Sequence, residues 1–500
     1  MNSHPRIAHA HPIEHACSSL GLGPILLVLI TAIIPRLVHV WAPIGGWQSW
    51  RQADTAAIAR NFYRGGMNVL YPAIDWSGAG PGYVESEMPL FQVIVAGLYH
   101  IFGMHVVWGR ILAILFSVGA SLYLARLCGC YVDRWTAGLA AAAFNFFPVN
   151  SYIGAAFMPE SLMLLASAGA IYHMDRWSRA RRERDRWISA LFLAIAIAVK
   201  LPELFLGVPI AYIVWRSLGW RMIARPGVWL SAAVALIPPS LWYAHAHQLK
   251  EITGLTFGIW EVGSDKWGNL QLLTSPSFYF RLFFSRLIER HLAYAGLLLL
   301  AIGWVLLRHR RDLGTFKWWV GGASFYLLVV AKGNAVHDYY QLPLLLPLGL
   351  WVGAAIAWAI RRGRTRRARV GGRILVVAFL VLSLLRIHHF LRLEIASRYL
   401  SDLGGIVQQI VPPKDLVVVV DDGDPTIFYH IDRKGWHASV ETLTEDWIEA
   451  RRLEGAAYLV SPAKRLEPAA PSKLEMLQDL YVNRSSDSDF YVFDLRGHGH

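Results

Sequence analysis

Long apolar runs, separated from one another by short clusters of arginines, occupy residues 20–392 of the chain. Runs of roughly 20 apolar residues can cross the hydrocarbon core of a bilayer as helices. The first run, at 20–41, is too long for the apolar part of a signal peptide and lacks a small-residue cleavage site, so we interpret it as the first membrane helix. The pattern predicts a polytopic α-helical membrane protein.

The arginine clusters predict how these helices are oriented. Positively charged loops favour the cytoplasm, so the apolar stretch between two clusters forms a hairpin. This rule predicts eleven spans, with the N-terminus inside and the C-terminal segment outside. The clusters lie at Arg126 and Arg134, 176–186, 216–225, 308–317 and 361–373. The hairpin tips predicted outside lie near Glu160, Lys200, 248–290 and 332–340.

Residues 89–103 are apolar but form a run of only about 15 residues, which is short for a span. If this run crossed the membrane, every later arginine cluster would lie on the outer side instead of in the cytoplasm. We therefore predict a re-entrant or interfacial helix on the outer membrane surface, within a first outer loop of residues 43–105.

Beyond residue 392 the composition changes to that of a soluble protein. Three segments have the apolar pattern of strands, and 426–433 has that of a short helix, so we predict a small α/β domain. The predicted strands are 416–420, 456–460 and 489–495. The predicted organisation is a cytoplasmic tail at 1–19, a membrane module at 20–392 and an extracytoplasmic α/β domain at 393–500.

Composition and charge narrow the classes of protein to which the chain can belong. The chain is 55% hydrophobic, above the 45–50% usual for soluble domains. Its net charge of +13 comes from clusters in predicted membrane loops, so we exclude a nucleic-acid partner. We find no internal repeat, Walker loop or GxGxxG motif after a strand.

Carboxylates on the predicted outer face are candidates for chemistry. Glu85 and Glu87 are two residues apart in an extended stretch, so their side chains should point the same way. Glu160 is predicted to begin a membrane helix. Charged side chains at such a depth are costly and usually functional. Each has an alternative interpretation. Asp54 would cap a helix at 54–63, and Glu87 would be a solvated loop charge. Glu160 would interact favourably with the dipole of the helix whose first turn it occupies.

Cations on the same face could stabilise a departing phosphate. The candidates are Arg51, Arg60, Lys200, Arg286, Lys332 and His337. The alternatives are that Lys200 extends to the interface from a helix end and that 337–340 is an interfacial aromatic belt. Arg36, within the first span, is either a lipid-phosphate ligand or a side chain that extends to the interface. The acidic segment 421–424 resembles the acidic motif of nucleotide-sugar transferases, but we interpret it as a strand end followed by a helix cap.

Several segments resemble those of large multi-pass glycosyltransferases of the GT-C type that use polyprenyl-phosphate sugars, among them the protein O-mannosyltransferases and the lipid A aminoarabinose transferase. The resemblance covers residues 20–360 and includes RQADTAAIARNF, ESEMPLFQ, FMPESLMLL, VKLPELFLGVPI and HDYYQLPLLLPLGLW. It implies that Asp54 is the catalytic or acceptor-orienting carboxylate. It also matches Glu160, Glu87, Lys200 and the segment 337–340 to positions of the family's motifs. The family often has a basic residue before its Pro-Pro-Leu segment, where this chain has Met88.

The expected function is transfer of a sugar from a polyprenyl phosphate to a lipid, polysaccharide or protein acceptor at the outer face of the cytoplasmic membrane. Asp54, with Glu160 and Glu87, would serve catalysis by single displacement. The expected phosphate ligands are Lys200, Arg51, Arg286 and His337, and the expected substrate contacts are Glu85, Tyr339 and Tyr340. No metal is demanded, although a divalent cation held by carboxylates is an alternative. The rival function is a flippase or transporter of lipid-linked sugars.

Overall fold

A computed structural model describes residues 19–38, 40–259, 266–361, 365–395, 397–467 and 470–498. The predicted segment 1–19 lies almost entirely outside the described residues.

Helices account for most of the chain up to residue 395. The first half contains α1 (Leu22–Leu37), α2 (Ser49–Arg64), α3 (Leu90–Phe102), α4 (Val106–Gly129), α5 (Arg134–Phe146), α6 (Pro148–Ile153), α7 (Glu160–Ala180), α8 (Glu183–Val199), α9 (Gly207–Leu218) and α10 (Pro226–Thr253). The second half contains α11 (Leu270–Leu273), α12 (Pro276–Tyr279), α13 (Ala295–Leu307), α14 (Gly314–Val329), α15 (Ala331–Val336), α16 (Leu342–Arg361) and α17 (Arg366–Ile395). Short 3₁₀ segments lie at Leu201–Leu206, Gly219–Met222, Arg311–Leu313 and Asp338–Gln341, and Phe280–His291 is a π-helix.

These helices fit a polytopic membrane protein. Within the described residues, five helical stretches are long and apolar enough to cross a bilayer by length and composition. They are Val106–Gly129, Leu201–Met222, Pro226–Thr253, Asp338–Arg361 and Arg366–Ile410. Pro276–His291 and Ala295–Leu307 pass the same test together but meet at an angle of 97°. The number of eleven spans therefore stays a prediction.

The stretch predicted to be re-entrant or interfacial is helix α3, which is 13 residues long. One face, which includes Phe91, Val95 and Tyr99, is buried. Ile101 and Phe102 are exposed, although both are apolar. A short helix with an apolar exposed side suits a membrane boundary, but its position relative to a bilayer stays a prediction.

Glycines allow several helices to pack with their backbones close together. At Gly303 in α13, a Cβ would overlap with the carbonyl oxygen of Trp351 in α16. At Gly353 in α16, a Cβ would overlap with the backbone of Ala140 in α5. Small residues at helix contacts are typical of membrane bundles, where packing replaces the hydrophobic effect as the driving force. Helix α16 is therefore held at the centre of the bundle.

The C-terminal part is an α/β domain, as the sequence predicted. Its helices are α18 (Tyr399–Ile410), α19 (Thr426–Ile431), α20 (Glu445–Leu453), α21 (Ala463–Leu466) and α22 (Pro471–Leu480). Its strands are β1 (Leu416–Val420), β2 (Gly435–Ala438), β3 (Ala456–Pro462), β4 (Tyr481–Asn483) and β5 (Phe490–His498), in the order β2-β1-β3-β5-β4. Strand β1 runs parallel to both of its neighbours, while β5 runs antiparallel to β3 and β4. The three predicted strands match β1, β3 and β5, whereas β2 and β4 were not predicted.

Ion pairs and backbone hydrogen bonds attach this domain to the segment between α1 and α3. Asp432 accepts from Arg64 at 2.7 Å and pairs with Arg60 at 3.0 Å. The Gly435 amide donates to the Asp75 carbonyl at 3.0 Å, and the Gly78 amide donates to the Gly435 carbonyl at 2.7 Å. The domain is thereby held against helix α2.

The contact at Gly303 gives a test of the bundle. Replacing Gly303 with alanine forces a Cβ against backbone that cannot rotate away, and overpacking of this kind costs about 1–3 kcal/mol. We expect a lower thermal unfolding temperature of the detergent-purified protein. Gly321→Ala is the control, because among the described residues no atom beyond its own helical turn lies within 4 Å of a Cβ there. Equal unfolding temperatures for both variants and the wild type would contradict the close α13–α16 contact.

Candidate active site

A cavity of about 340 Å³ lies where helix α2, the ends of several membrane-part helices and the C-terminal domain meet. Its described lining comprises Trp50, Arg51, Asp54, Trp76, Glu87, Lys200, Thr256, Phe257, Gly258, Lys266, His337, Tyr339, Tyr340, Gly423 and Pro425. Seven of the predicted site residues are among them: Asp54, Glu87, Arg51, Lys200, His337, Tyr339 and Tyr340. The structure thus brings together residues that are far apart in the sequence.

Asp54 lies in the second turn of α2, because the helix begins at Ser49. The interpretation of Asp54 as a helix cap is therefore wrong. Its carboxylate accepts a hydrogen bond from the indole N–H of Trp76 at 2.9 Å. Burial raises the pKa of Asp54 to about 7, against the opposing effects of the Trp76 hydrogen bond and the Arg51 charge. A carboxylate with this pKa is suited to accept a proton near neutral pH.

Glu87 lies in a network of buried charges. Its Oε2 accepts from Arg51 at 3.0 Å, and its Oε1 lies 3.7 Å from the Lys200 ammonium. Lys200 also donates to Glu160 at 3.1 Å. Burial alone would raise the pKa of Glu87, but the charges of Arg51 and Lys200 outweigh it, and the pKa falls to about 2. Glu87 is thus an ion-paired carboxylate and not a solvated loop charge.

Lys266 is a cavity cation that the sequence reasoning missed. Its ammonium donates to the carbonyl of Phe257, and burial lowers its pKa to about 8. The lysine follows a polar stretch with no periodic pattern. The only available signal was its position within the long loop predicted at 248–290.

His337 lines the cavity as a neutral side chain. Burial and the nearby charges of Lys200 and Lys266 lower its pKa to about 3. It carries no charge at neutral pH and is therefore a weaker ligand for phosphate than the cations Arg51, Lys200 and Lys266. Its ring packs against Trp50, with the centroids 5.5 Å apart.

The charges around the cavity do not balance. Arg51, Lys200 and Lys266 are cations, whereas Glu87 and Glu160 are the carboxylates ion-paired within this group. With Asp54 near its midpoint of titration, the described groups leave a positive surplus. Such a surplus favours a ligand that carries a negative charge.

Aromatic side chains form the wall beside the cations. Lys200 lies over the rings of Tyr339 and Tyr340, at 4.9 and 4.7 Å from their centroids. Both tyrosines are buried. They line the cavity, so the interfacial-belt interpretation does not describe their environment.

Other predicted site residues have partners elsewhere. Glu160 lies outside the described lining and pairs with Lys200, while Glu85 bonds to Thr256 and approaches His247 at 3.5 Å. Glu85 and Glu87 therefore do not point to the same place. Arg286 pairs with Asp338 and donates to the carbonyl of Ala335 at 2.8 Å. The catalytic and phosphate-binding roles of Glu160 and Arg286 stay predictions.

Three further cations considered from the sequence also lie outside the described lining. Arg36 is buried and donates to the carbonyls of Ala32 at 2.9 Å and Asn150 at 3.1 Å, so it does not extend to the interface. Arg60 pairs with Asp75 at 2.5 Å. Lys332 is not among the lining residues.

The described residues contain no group of three or more His, Cys, Asp or Glu side chains placed to hold a metal ion. Asp54 and Glu87 are the carboxylates in the described lining. Residues 260–265, between Gly258 and Lys266, lie outside the described part of the chain.

Comparisons with known proteins give matches to a family and to solved structures. Residues 86–243 match the family model described as dolichyl-phosphate-mannose-protein mannosyltransferase. The fold is similar to that of ArnT from Cupriavidus metallidurans bound to undecaprenyl phosphate, with a TM-score of 0.66, 12% identity and coverage of 94% of this chain and 97% of that chain. No curated protein matches the sequence.

A second similar fold is the oligosaccharyltransferase of Archaeoglobus fulgidus. Its complex with zinc and sulfate has a TM-score of 0.57 and 11% identity, and the match covers 94% of this chain and 73% of that chain. Its complex with an inhibitory peptide and a dolichol-phosphate has a TM-score of 0.50 and 12% identity, with the same coverage. The resemblance inferred from the sequence is thereby confirmed: this multi-pass membrane protein is similar to the GT-C glycosyltransferases and shares their fold.

Proposed function

We propose that the chain transfers a sugar from a polyprenyl-phosphate donor to an acceptor hydroxyl or amine. The observation that carries this proposal is the cavity itself, in which a carboxylate with a pKa of about 7 lies beside a surplus of cations. The family match and the fold of the similar glycosyltransferases support the same chemistry. Transfer of a sugar from a phosphate leaving group needs both a base for the acceptor and cations for the phosphate.

Asp54 is the proposed general base. It accepts the proton of the acceptor nucleophile as that atom bonds to the anomeric carbon of the sugar. The bond between the anomeric carbon and the phosphate oxygen breaks in the same displacement, and its electron pair stays on the phosphate. The Trp76 indole, 2.9 Å from the Asp54 carboxylate, orients this base.

Arg51, Lys200 and Lys266 are the proposed phosphate ligands. The linked phosphate of the donor carries one negative charge, and the departing phosphate gains another. Cations held in a buried site stabilise this added charge better than mobile solvent does. Glu87 and Glu160 keep Arg51 and Lys200 in place. The proposed mechanism uses no metal ion, because these cations supply the positive charge.

The membrane arrangement forms part of the proposal. The cavity would lie on the extracytoplasmic side of the cytoplasmic membrane, with the C-terminal domain above it. The positive-inside pattern supports this orientation. The donor lipid would then remain in the bilayer while its sugar enters the cavity.

The general-base role predicts that Asp54→Asn reduces sugar transfer by at least about a hundredfold, because the amide cannot accept the proton. Donor binding should change little. The measurement is transfer of labelled sugar from a polyprenyl-phosphate donor pool in membranes with matched protein levels. Asp402→Asn, which alters an exposed carboxylate in α18, is the control. An inserted Asp54→Asn protein with full transfer would exclude this role.

The pH dependence of transfer follows from two cavity groups. The Asp54 carboxyl must lose its proton, so kcat/KM should rise up to its pKa of about 7. Lys266 must keep its proton, so kcat/KM should fall above its pKa of about 8. We expect a narrow bell-shaped profile of kcat/KM between pH 5 and 10. In the residual activity of Asp54→Asn, the rise on the acid side of this profile should be absent. A rate independent of pH through this range would contradict both assignments.

The phosphate site predicts that Lys266→Gln lowers kcat/KM for the donor by about 10–100-fold, the loss typical of one charged hydrogen bond. Lys266→Arg should retain most of the activity because it keeps the charge. Lys414→Gln, at an exposed position of the C-terminal domain, is the control. The measurement is the transfer rate against donor concentration. Wild-type kinetics in Lys266→Gln would remove this lysine from the phosphate site.

A further inference from the structure

A second cavity, of about 430 Å³, lies in the C-terminal domain and adjoins the first. Gly423 lines both cavities. The remaining described lining of the second cavity comprises Asp422, His437, Ala438, Ser439, Glu441 and Thr442. A ligand lodged there could therefore extend past Gly423 towards Asp54.

The second cavity lies at one edge of the domain's sheet. Strands β1 and β2 run parallel, and residues 421–423 and 439–442 directly follow their carboxyl ends. Loops at the carboxyl ends of parallel strands are where open α/β sheets bind ligands. This edge of the sheet thus adjoins the cavity that contains Asp54.

His437 lies at the junction of the two cavities. Its Nδ1 contacts the two Asp421 carboxylate oxygens at 2.7 and 2.9 Å. Its ring packs against Trp76, whose indole donates to Asp54, with the centroids 5.1 Å apart. Because Asp421 engages Nδ1, Nε2 is the ring nitrogen that a ligand hydroxyl can reach for a hydrogen bond.

The polar groups of the second cavity indicate which ligand fits. Among the residues described in its lining there is no lysine or arginine. The Glu441 carboxylate accepts hydrogen bonds only. The hydroxyls of Ser439 and Thr442 belong to a turn, in which Thr442 Oγ1 accepts from the Ser439 amide at 3.0 Å and donates its proton to the Ser439 carbonyl at 2.9 Å. The acceptor Glu441 matches ligand hydroxyls, which can donate to it, better than the oxygens of an ionised phosphate, which only accept.

We propose that the second cavity is the acceptor subsite and that it takes an uncharged saccharide, with His437 Nε2 and Glu441 hydrogen-bonded to its hydroxyls. The Trp76 and His437 rings supply an apolar face beside these polar groups. This inference rests on the proposed function, because it identifies the saccharide as the acceptor for the sugar activated beside Asp54. It assigns the C-terminal domain a part in acceptor choice.

The test is binding of a panel of neutral oligosaccharides to the detergent-purified full chain, measured by saturation-transfer NMR without any donor. Maltotriose, cellotriose and chitotriose form the panel, with glucose 6-phosphate and a serine-rich peptide as comparisons. We expect a neutral oligosaccharide to bind and its Kd to rise about five- to tenfold in both His437→Ala and Glu441→Ala, as for one lost hydrogen bond. Glu441 is exposed, so Glu441→Ala still tests the proposal if His437→Ala does not fold.

A control variant completes the experiment. Glu475→Ala, at an exposed position of α22 outside the described lining, should bind as the wild type does. The proposal is overturned if no oligosaccharide of the panel binds, if Glu441→Ala binds as the wild type does, or if the serine-rich peptide or glucose 6-phosphate binds more tightly than the oligosaccharides. Because no donor is present, this result is independent of whether Asp54→Asn abolishes sugar transfer.

Discussion

The buried charge network of Arg51, Glu87, Lys200 and Glu160 is the constraint on which the rest of the site depends. A buried charge without a partner costs several kcal/mol, so such groups must be paired or remain in water. The pairs join helix α2, the segment before α3, the end of α8 and the start of α7. Displacing one of these elements would leave a charge unpaired. The network therefore fixes the relative positions of the elements that surround the cavity.

Asp54 differs from Glu87 because it stands outside these ion pairs. Both carboxylates are buried and line the same cavity, yet their pKa values lie near 7 and 2. Glu87 has two cations within 3.7 Å, whereas Asp54 has a neutral indole as its hydrogen-bond partner. Two like groups with pKa values moved in opposite directions can serve different roles. Glu87 holds cations in place, and Asp54 is left able to exchange a proton.

The sequence predicted the parts of this site that local patterns encode. Hydropathy located the helices, and Asp54, Glu87 and Lys200 stood out as charges at the ends of apolar runs. Trp76 and Lys266 had no such pattern, because loop contacts between distant segments place them in the cavity. The start of α2 at Ser49 was also missed, which led to the wrong cap interpretation of Asp54. Strand β4, with three residues, is too short for its pattern to distinguish it from a loop.

The C-terminal domain is best understood as one wall of the site. Gly423 and Pro425 line the cavity opposite the membrane-part residues, and the position of this wall depends on the attachment of Asp432 to Arg60 and Arg64. Those two arginines lie on α2, the helix that also carries Asp54. One helix therefore positions both the proposed base and the domain that faces it. A change in how the domain docks would alter the cavity without changing any cavity residue, so the proposed acceptor subsite and the proposed base are linked through α2.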